Sequence, residues 1–90
     1  MSYNKRRDLN HEQVRDELRQ LGFAVYDAGH HGDGLPDLLV MARGVIYLVE
    51  VKATKRSRFT AAEKKFFEVF NGAENLVVVT STEEFIKEIE

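Results

Sequence analysis

The chain has 90 residues, 43% of them hydrophobic, with 13 basic and 15 acidic side chains and a formal net charge of −2. That length supports one domain around a small core, and the apolar content with a single proline excludes a disordered chain. The absence of cysteine excludes a disulfide scaffold or a thiolate zinc site and fits a reducing, cytoplasmic setting. No segment approaches the roughly 18 apolar residues of a membrane span, and the basic start at Lys5 to Arg7 has no apolar stretch behind it, so no membrane partner or signal peptide is expected.

In chain order, Asn10 to Leu21 reads as an amphipathic helix. Val14, Leu18 and Leu21 recur at helical spacing, Asp8 or Asn10 is placed to cap the start, and Gly22 ends it. Phe23 to Tyr26 reads as a short strand, and residues 28–34 as a glycine-rich loop. Leu38 to Ala42 and Val45 to Val51 are two strand-like runs joined by Arg43-Gly44. Apolar residues on both faces predict a central hairpin covered on both sides. A basic loop follows, from Ala53 to Phe59. Thr60 and Glu63 form a capping-box pattern that opens a second helix to about Phe70, with Phe66, Phe67 and Phe70 as its core stripe. Asn71-Gly72 stops it. Leu76 to Thr80 is a fourth strand, expected to pair parallel through a right-handed crossover. Ser81 or Thr82 caps a last helix that turns Phe85, Ile86 and Ile89 inward.

The chemistry concentrates in Pro36-Asp37 and, thirteen residues after the aspartate, Glu50-Val51-Lys52. If Arg43-Gly44 is a two-residue hairpin loop, Ala42 faces Val45, Leu39 faces Leu48 and Asp37 faces Glu50. Lys52 then shares their face, since side chains alternate along a strand. A three-residue loop with a bulge would change that register. Two carboxylates directly opposite each other repel. A divalent cation such as Mg²⁺ or Mn²⁺ is the natural candidate to compensate them, with Asp37 and Glu50 as hard oxygen ligands and the Val51 backbone carbonyl able to add another. Lys52 would stand beside a metal-bound water and a scissile phosphate. The plainer alternative, a surface ion pair between Glu50 and Lys52, fits poorly with a strand that looks buried on both faces.

Charge is unevenly spread. Lys52 to Lys65 carries six bases and one acid, whereas Glu74 to Glu90 carries five acids and one base. A local basic patch is what phosphate contact requires, and Lys55, Arg56, Arg58 and Lys64 are its candidate nucleic-acid contacts. His30 and His31 are candidates for phosphate or base contact. They lack the i, i+4 spacing of a helical metal pair, and exposed loop residues are the alternative reading.

These motifs, with the element order around them, resemble the PD-(D/E)XK nuclease superfamily. Within it the chain is similar to small phage-type members related to virus-type replication-repair nuclease (VRR-NUC) domains and archaeal Holliday-junction resolvases. Leu21 to Val25 and the Gly34 to Leu38 approach carry that closer likeness. The resemblance implies an α/β, restriction-endonuclease-like αβββαβ core with a mixed four-stranded sheet flanked by helices. It implies a metal-dependent endonuclease acting on DNA, with Asp37, Glu50 and Lys52 as catalytic residues, branched DNA as substrate and a homodimer as the working form. Related enzymes often add a glutamate from the first helix. Glu12 and Glu17 are both candidates and Glu12 is favoured, although by distance from Gly22 the resolvase glutamate falls at about His11. The rival expectation is a non-catalytic nucleic-acid-binding module that keeps the fold.

Overall fold

A computed structural model describes residues 2–90, with side-chain surroundings from residue 10 onward. The elements run α1 (Ser2–Gln20), β1 (Ala24–Asp27), β2 (Leu38–Ala42), β3 (Val45–Val51), α2 (Ala61–Val69), β4 (Leu76–Val79) and α3 (Thr82–Ile89). The strands form one mixed sheet in the order β1-β2-β3-β4, antiparallel except for the parallel β3–β4 pair. This is the αβββαβ core with a mixed four-stranded sheet that the sequence predicts.

α1 starts earlier than its apolar periodicity suggests. No glycine or proline interrupts Ser2 to Leu21, so nothing stops the helix from extending through its polar first half. Asp8 and Asn10 therefore lie inside the helix rather than at its cap. Asn10 is committed to a tertiary bond instead, donating to the Lys52 carbonyl at 2.8 Å. The helix ends in a Schellman arrangement: Phe23 N–H reaches the Leu18 carbonyl, Gly22 N–H reaches that of Arg19, and Gly22 sits at φ 97°. Leu21, expected on the apolar stripe, is 61% exposed. It is the last residue before the Gly22 turn.

Arg43 and Gly44 both have positive φ, 55° and 78°, the signature of a two-residue type I′ turn whose twist matches the strands. The register follows as expected, with Ala42 opposite Val45 and Leu38 opposite Val49. α1 and α3 pack on one face of this sheet. Val14, Leu18, Leu38, Val40, Val49 and Val79 are buried between them, and Phe85 packs edge-on against Phe23 and Tyr47 with ring centroids 5.9 and 5.6 Å away. Each such side chain contributes about 1.5–3 kcal/mol on burial.

The other face contradicts the expectation of a hairpin covered on both sides. Met41, Ile46, Tyr26 and Val78 remain 40–55% exposed there. The stripe of Phe66, Phe67 and Phe70 is not core either: the first two are half-buried and Phe70 is exposed, leaving Glu63 as the buried residue of α2. The reason is geometric. α2 has only nine residues and meets the body through its first turn. There the Ala62 backbone closes on Gly34, and Thr60 and Glu63 complete the capping box. The aromatic side chains of its later turns pack largely on one another and on Phe59.

Candidate functional site

Asp37 stands one residue before β2, and the register carries it opposite Glu50 on β3. Its Oδ2 accepts the Val51 N–H at 2.9 Å, while its own carbonyl accepts the Ala28 N–H at 2.7 Å. The residue is thus tied to both neighbouring strand ends, to β3 through its carboxylate and to β1 through its backbone. Glu50 is fully buried, and neither of its carboxylate oxygens has a hydrogen-bond partner among the described residues. Among the described residues the nearest cation, Lys52 Nζ, is 3.6 Å from Glu50 Oε2, beyond hydrogen-bond range. Burial first, then the neighbouring Asp37 and Glu63 carboxylates, push the Glu50 carboxyl up to about 9.

Lys52 is buried as well, and its ammonium is held rather than loose. It donates to Glu63 Oε1 at 2.7 Å and to the Arg58 carbonyl at 3.2 Å, and it lies 4.7 Å from the centre of the Phe59 ring. Glu63 therefore does two jobs, since the same Oε1 also accepts the Thr60 N–H at 2.9 Å. Burial pushes Glu63 up, but the Lys52 and Thr60 hydrogen bonds outweigh it and hold the carboxyl below its ordinary value. The capping box was legible in the sequence. Its second role as the lysine's anchor was not, because that depends on where α2 lands.

The other side of the site is built by α1 and β1. His11 Nε2 lies 2.9 Å from Asp27 Oδ1, and Arg15 Nη1 donates to Asp27 Oδ2 at 2.9 Å. Gly29 N–H adds a third contact to Asp27 at 3.1 Å. Burial pushes Asp27 up, but Arg15, the Gly29 amide and His11 together hold it below its ordinary value, and Arg15 is raised in turn by its bonds to Asp16 and Asp27. His11 Nδ1 is 3.7 Å from Asp37 Oδ1. His11, Glu12, Asp27, Gly29, His30, Asp37 and Val51 line a cleft of about 240 Å³.

Asp37, Glu50 and Lys52 are thus brought together, with Val51 on the cleft wall. Of the two helix glutamates, Glu12 lines the cleft, whereas Glu17 accepts the Thr82 hydroxyl where α1 meets α3. The histidines separate. His30 reaches the cleft, and His31 stacks between His30 and Tyr26 on the exterior. Arg56, Arg58 and Lys64 are exposed around the mouth of the β3–α2 loop. Lys55 is 84% exposed and pairs loosely with Glu84, 3.6 Å away. His11, Arg15, Asp27 and Glu63 were not singled out as site residues in the sequence. The one available signal was the spacing from Gly22 that points to His11.

No protein-family model matches this sequence. Among curated proteins, the crossover junction endodeoxyribonuclease Hjc of Sulfurisphaera tokodaii is 37% identical over 70 residues, which cover 72% of this chain and 49% of that protein. The chain therefore spans about half the length of the curated relative it matches. A solved VRR_NUC domain superposes with a TM-score of 0.69 and 32% identity, covering 93% of this chain and 94% of its own. With that identity over two nearly coextensive chains, this protein belongs to the VRR_NUC family of PD-(D/E)XK-like nuclease domains.

Proposed function

We propose that this chain is a metal-dependent endonuclease that hydrolyses DNA phosphodiester bonds, with branched DNA as substrate and Mg²⁺ or Mn²⁺ as cofactor. One observation carries the reading. A fully buried carboxylate, Glu50, has no hydrogen-bond donor among the described residues and faces a second carboxylate across a strand pair. Buried charges without partners are expensive, and a cation is the partner this arrangement fits.

Among the described residues no three His, Cys, Asp or Glu side chains are gathered into a ready-made ion cage. The donors that would hold the ion are the Asp37 and Glu50 carboxylates and the Val51 carbonyl, a hard oxygen set suited to Mg²⁺ or Mn²⁺. When bound, the ion polarises a phosphoryl oxygen and lowers the pKa of a coordinated water. Lys52 places its ammonium 3.6 Å from the Glu50 carboxylate and would offset the charge that develops on the phosphate. Because Glu63 and the Arg58 carbonyl fix its position, it acts without reorganising. Arg56, Arg58 and Lys64 hold the flanking phosphates, and their contribution weakens with salt.

The branched substrate draws on the named activity of the relative, a crossover junction endodeoxyribonuclease. Cutting two strands at a junction requires two sites, hence a homodimer. The exposed apolar face around Met41 and Ile46 is the surface best suited to pair two copies.

The test is cleavage of labelled single strand, duplex, flap, splayed arm and four-way junction, with Mg²⁺, with Mn²⁺ and with chelator, beside Lys52→Ala. Metal-dependent cutting lost in the variant is expected. A junction bound but uncut by the wild type would favour the rival reading, a binding module. That rival draws on Lys52 being already engaged by Glu63.

A further inference from the structure

The end of β1 and the loop after it carry three exposed aromatic rings in one run. Tyr26 is 55% exposed, and His30 and His31 are exposed beside it. His31 stacks on His30 with ring centroids 4.5 Å apart and on Tyr26 at 6.3 Å, each pair 28° from parallel. Both spacings lie in the range of offset stacking. His30 stands at one end of the run, on the wall of the cleft it shares with Asp37. Tyr26 stands at the other, beside Leu39, Met41 and Ile46 on the second face of the sheet. The rings therefore lead out of the cleft.

The loop presents them from fixed ends. Ala28 is buried, its N–H donates to the Asp37 carbonyl at 2.7 Å, and its carbonyl accepts the His31 N–H at 3.1 Å. Gly29 lies against His11, and Gly34 against the Ala62 backbone. A surface ordered before its ligand arrives loses less on binding. Rings exposed in a run, continuous with an apolar patch, mark a binding surface more than a lone ring does.

What they bind follows from charge. Between Arg19 and Arg43 the chain has no lysine or arginine. Arg15 is turned onto Asp16 and Asp27, and Arg19 onto the Val25 carbonyl. This segment is poor in the cations that grip phosphate, whereas the β3–α2 loop and α2 carry Arg56, Arg58 and Lys64. Rings without cations offer a nucleic acid stacking area for its bases. Bases within a duplex are already stacked on one another, so the faces available are those of unpaired nucleotides.

Resting on the nuclease reading above, we propose that Tyr26, His31 and His30 form a platform for an unpaired nucleobase of the substrate. The protein then recognises a branch or a single-stranded arm by stacking on the base exposed there. Recognition of DNA structure and attraction to phosphate are thereby divided between two loops.

The experiment is fluorescence anisotropy of the whole chain with labelled splayed-arm DNA, in chelator so that nothing is cut. One probe carries normal nucleotides in its arms next to the branch, and the other carries abasic sites there. The wild type should bind the base-containing probe about tenfold more tightly. Tyr26→Ala combined with His31→Ala should erase that difference, whereas Tyr26→Phe should keep it. The difference is a ratio within each variant, so a loss of folded protein does not imitate it. Arg58→Ala should weaken both probes alike and lower the salt slope by about one, while the ring variants leave the slope unchanged. Equal binding of the two probes by the wild type overturns the platform without needing any variant to fold. Metal-dependent cleavage beside that result leaves the nuclease reading standing. A difference that survives in the double variant places the base elsewhere and also overturns the platform. Neither binding nor cleavage of any probe removes both readings together.

Discussion

The two sides of the site treat a carboxylate in opposite ways. On the α1–β1 side, Asp27 receives Arg15, His11 and a backbone amide, and is held below its ordinary pKa. On the β3–α2 side, Glu50 is more deeply buried, has no donor among the described residues, and is pushed up to about 9. The difference separates a completed support from an unfinished site. Asp27 already has its charge offset. Glu50 does not, although a lysine that could serve it lies only 3.6 Å away and is committed to Glu63 instead.

The contrast breaks most sharply in activity. Glu50→Gln preserves shape and removes the charge that would hold an ion, and is expected to lower DNA cleavage by about 10³-fold. Asp27→Asn acts through its neighbours and is expected to cost about tenfold. Single-turnover cleavage of the best substrate measures both, and equal losses would erase the distinction between the two sides.

Stability tests whether the β3–α2 side is rigidly built. Gly34 sits at φ 79° with the Ala62 backbone against the position of its missing Cβ. Gly34→Ala should therefore destabilise the fold by about 3 kcal/mol, read from urea unfolding, because neither strain nor clash can relax without moving α2. A change within experimental error would mean that α2 is not fixed there.

A smaller effect is expected at Glu63. Glu63→Gln keeps the amide-sized side chain of the capping box but removes the charge opposite Lys52. Cleavage should fall about 10- to 100-fold and the melting temperature by several degrees, since Lys52 is left buried with an uncompensated charge. Loss of stability with full activity would show that the lysine needs no anchor.

Acid and base should then separate the two carboxylates in the metal-free protein. Between its ordinary value and about 9, native Glu50 holds a proton that the unfolded chain has lost, so its contribution to stability falls as pH rises through that window. Asp27 does the reverse: its contribution is present at neutral pH and is lost as pH falls below the ordinary carboxylate range. Melting temperatures measured from pH 3 to 9 should lose their alkaline slope in Glu50→Gln and part of their acid slope in Asp27→Asn. Unchanged slopes would contradict the assigned environments. The smallest effect belongs to Lys55→Ala, under about 0.5 kcal/mol by the same melts, because its pair with Glu84 is exposed and long.

Much of this site was legible because a hairpin is a local object. Arg43-Gly44 closes two adjacent runs, the side-chain period of two does the rest, and Asp37 is delivered opposite Glu50 with Lys52 one turn of the pleat beyond. The helix ends were legible for a similar reason. Thr60 with Glu63, Ser81, and Gly22 each satisfy backbone groups within a few residues of themselves.

What failed depended on distance along the chain. The Phe66, Phe67 and Phe70 stripe has the right spacing for burial, but spacing reports which residues share a face and not whether anything covers it. Asn10 looked like a cap until Lys52, 42 residues away, offered its carbonyl.

The sequence by itself determined the strand register, the caps and the convergence of Asp37, Glu50 and Lys52, because hydrogen-bond satisfaction and alternation act over a few residues. Only the tertiary structure decided that Glu63 anchors Lys52, that His11 stands between Asp27 and Asp37, and that Met41, Ile46 and Tyr26 stay exposed on the second face of the sheet. Those contacts join elements whose relative placement is set by the packing of α1 and α3 on the core, and no local rule encodes it.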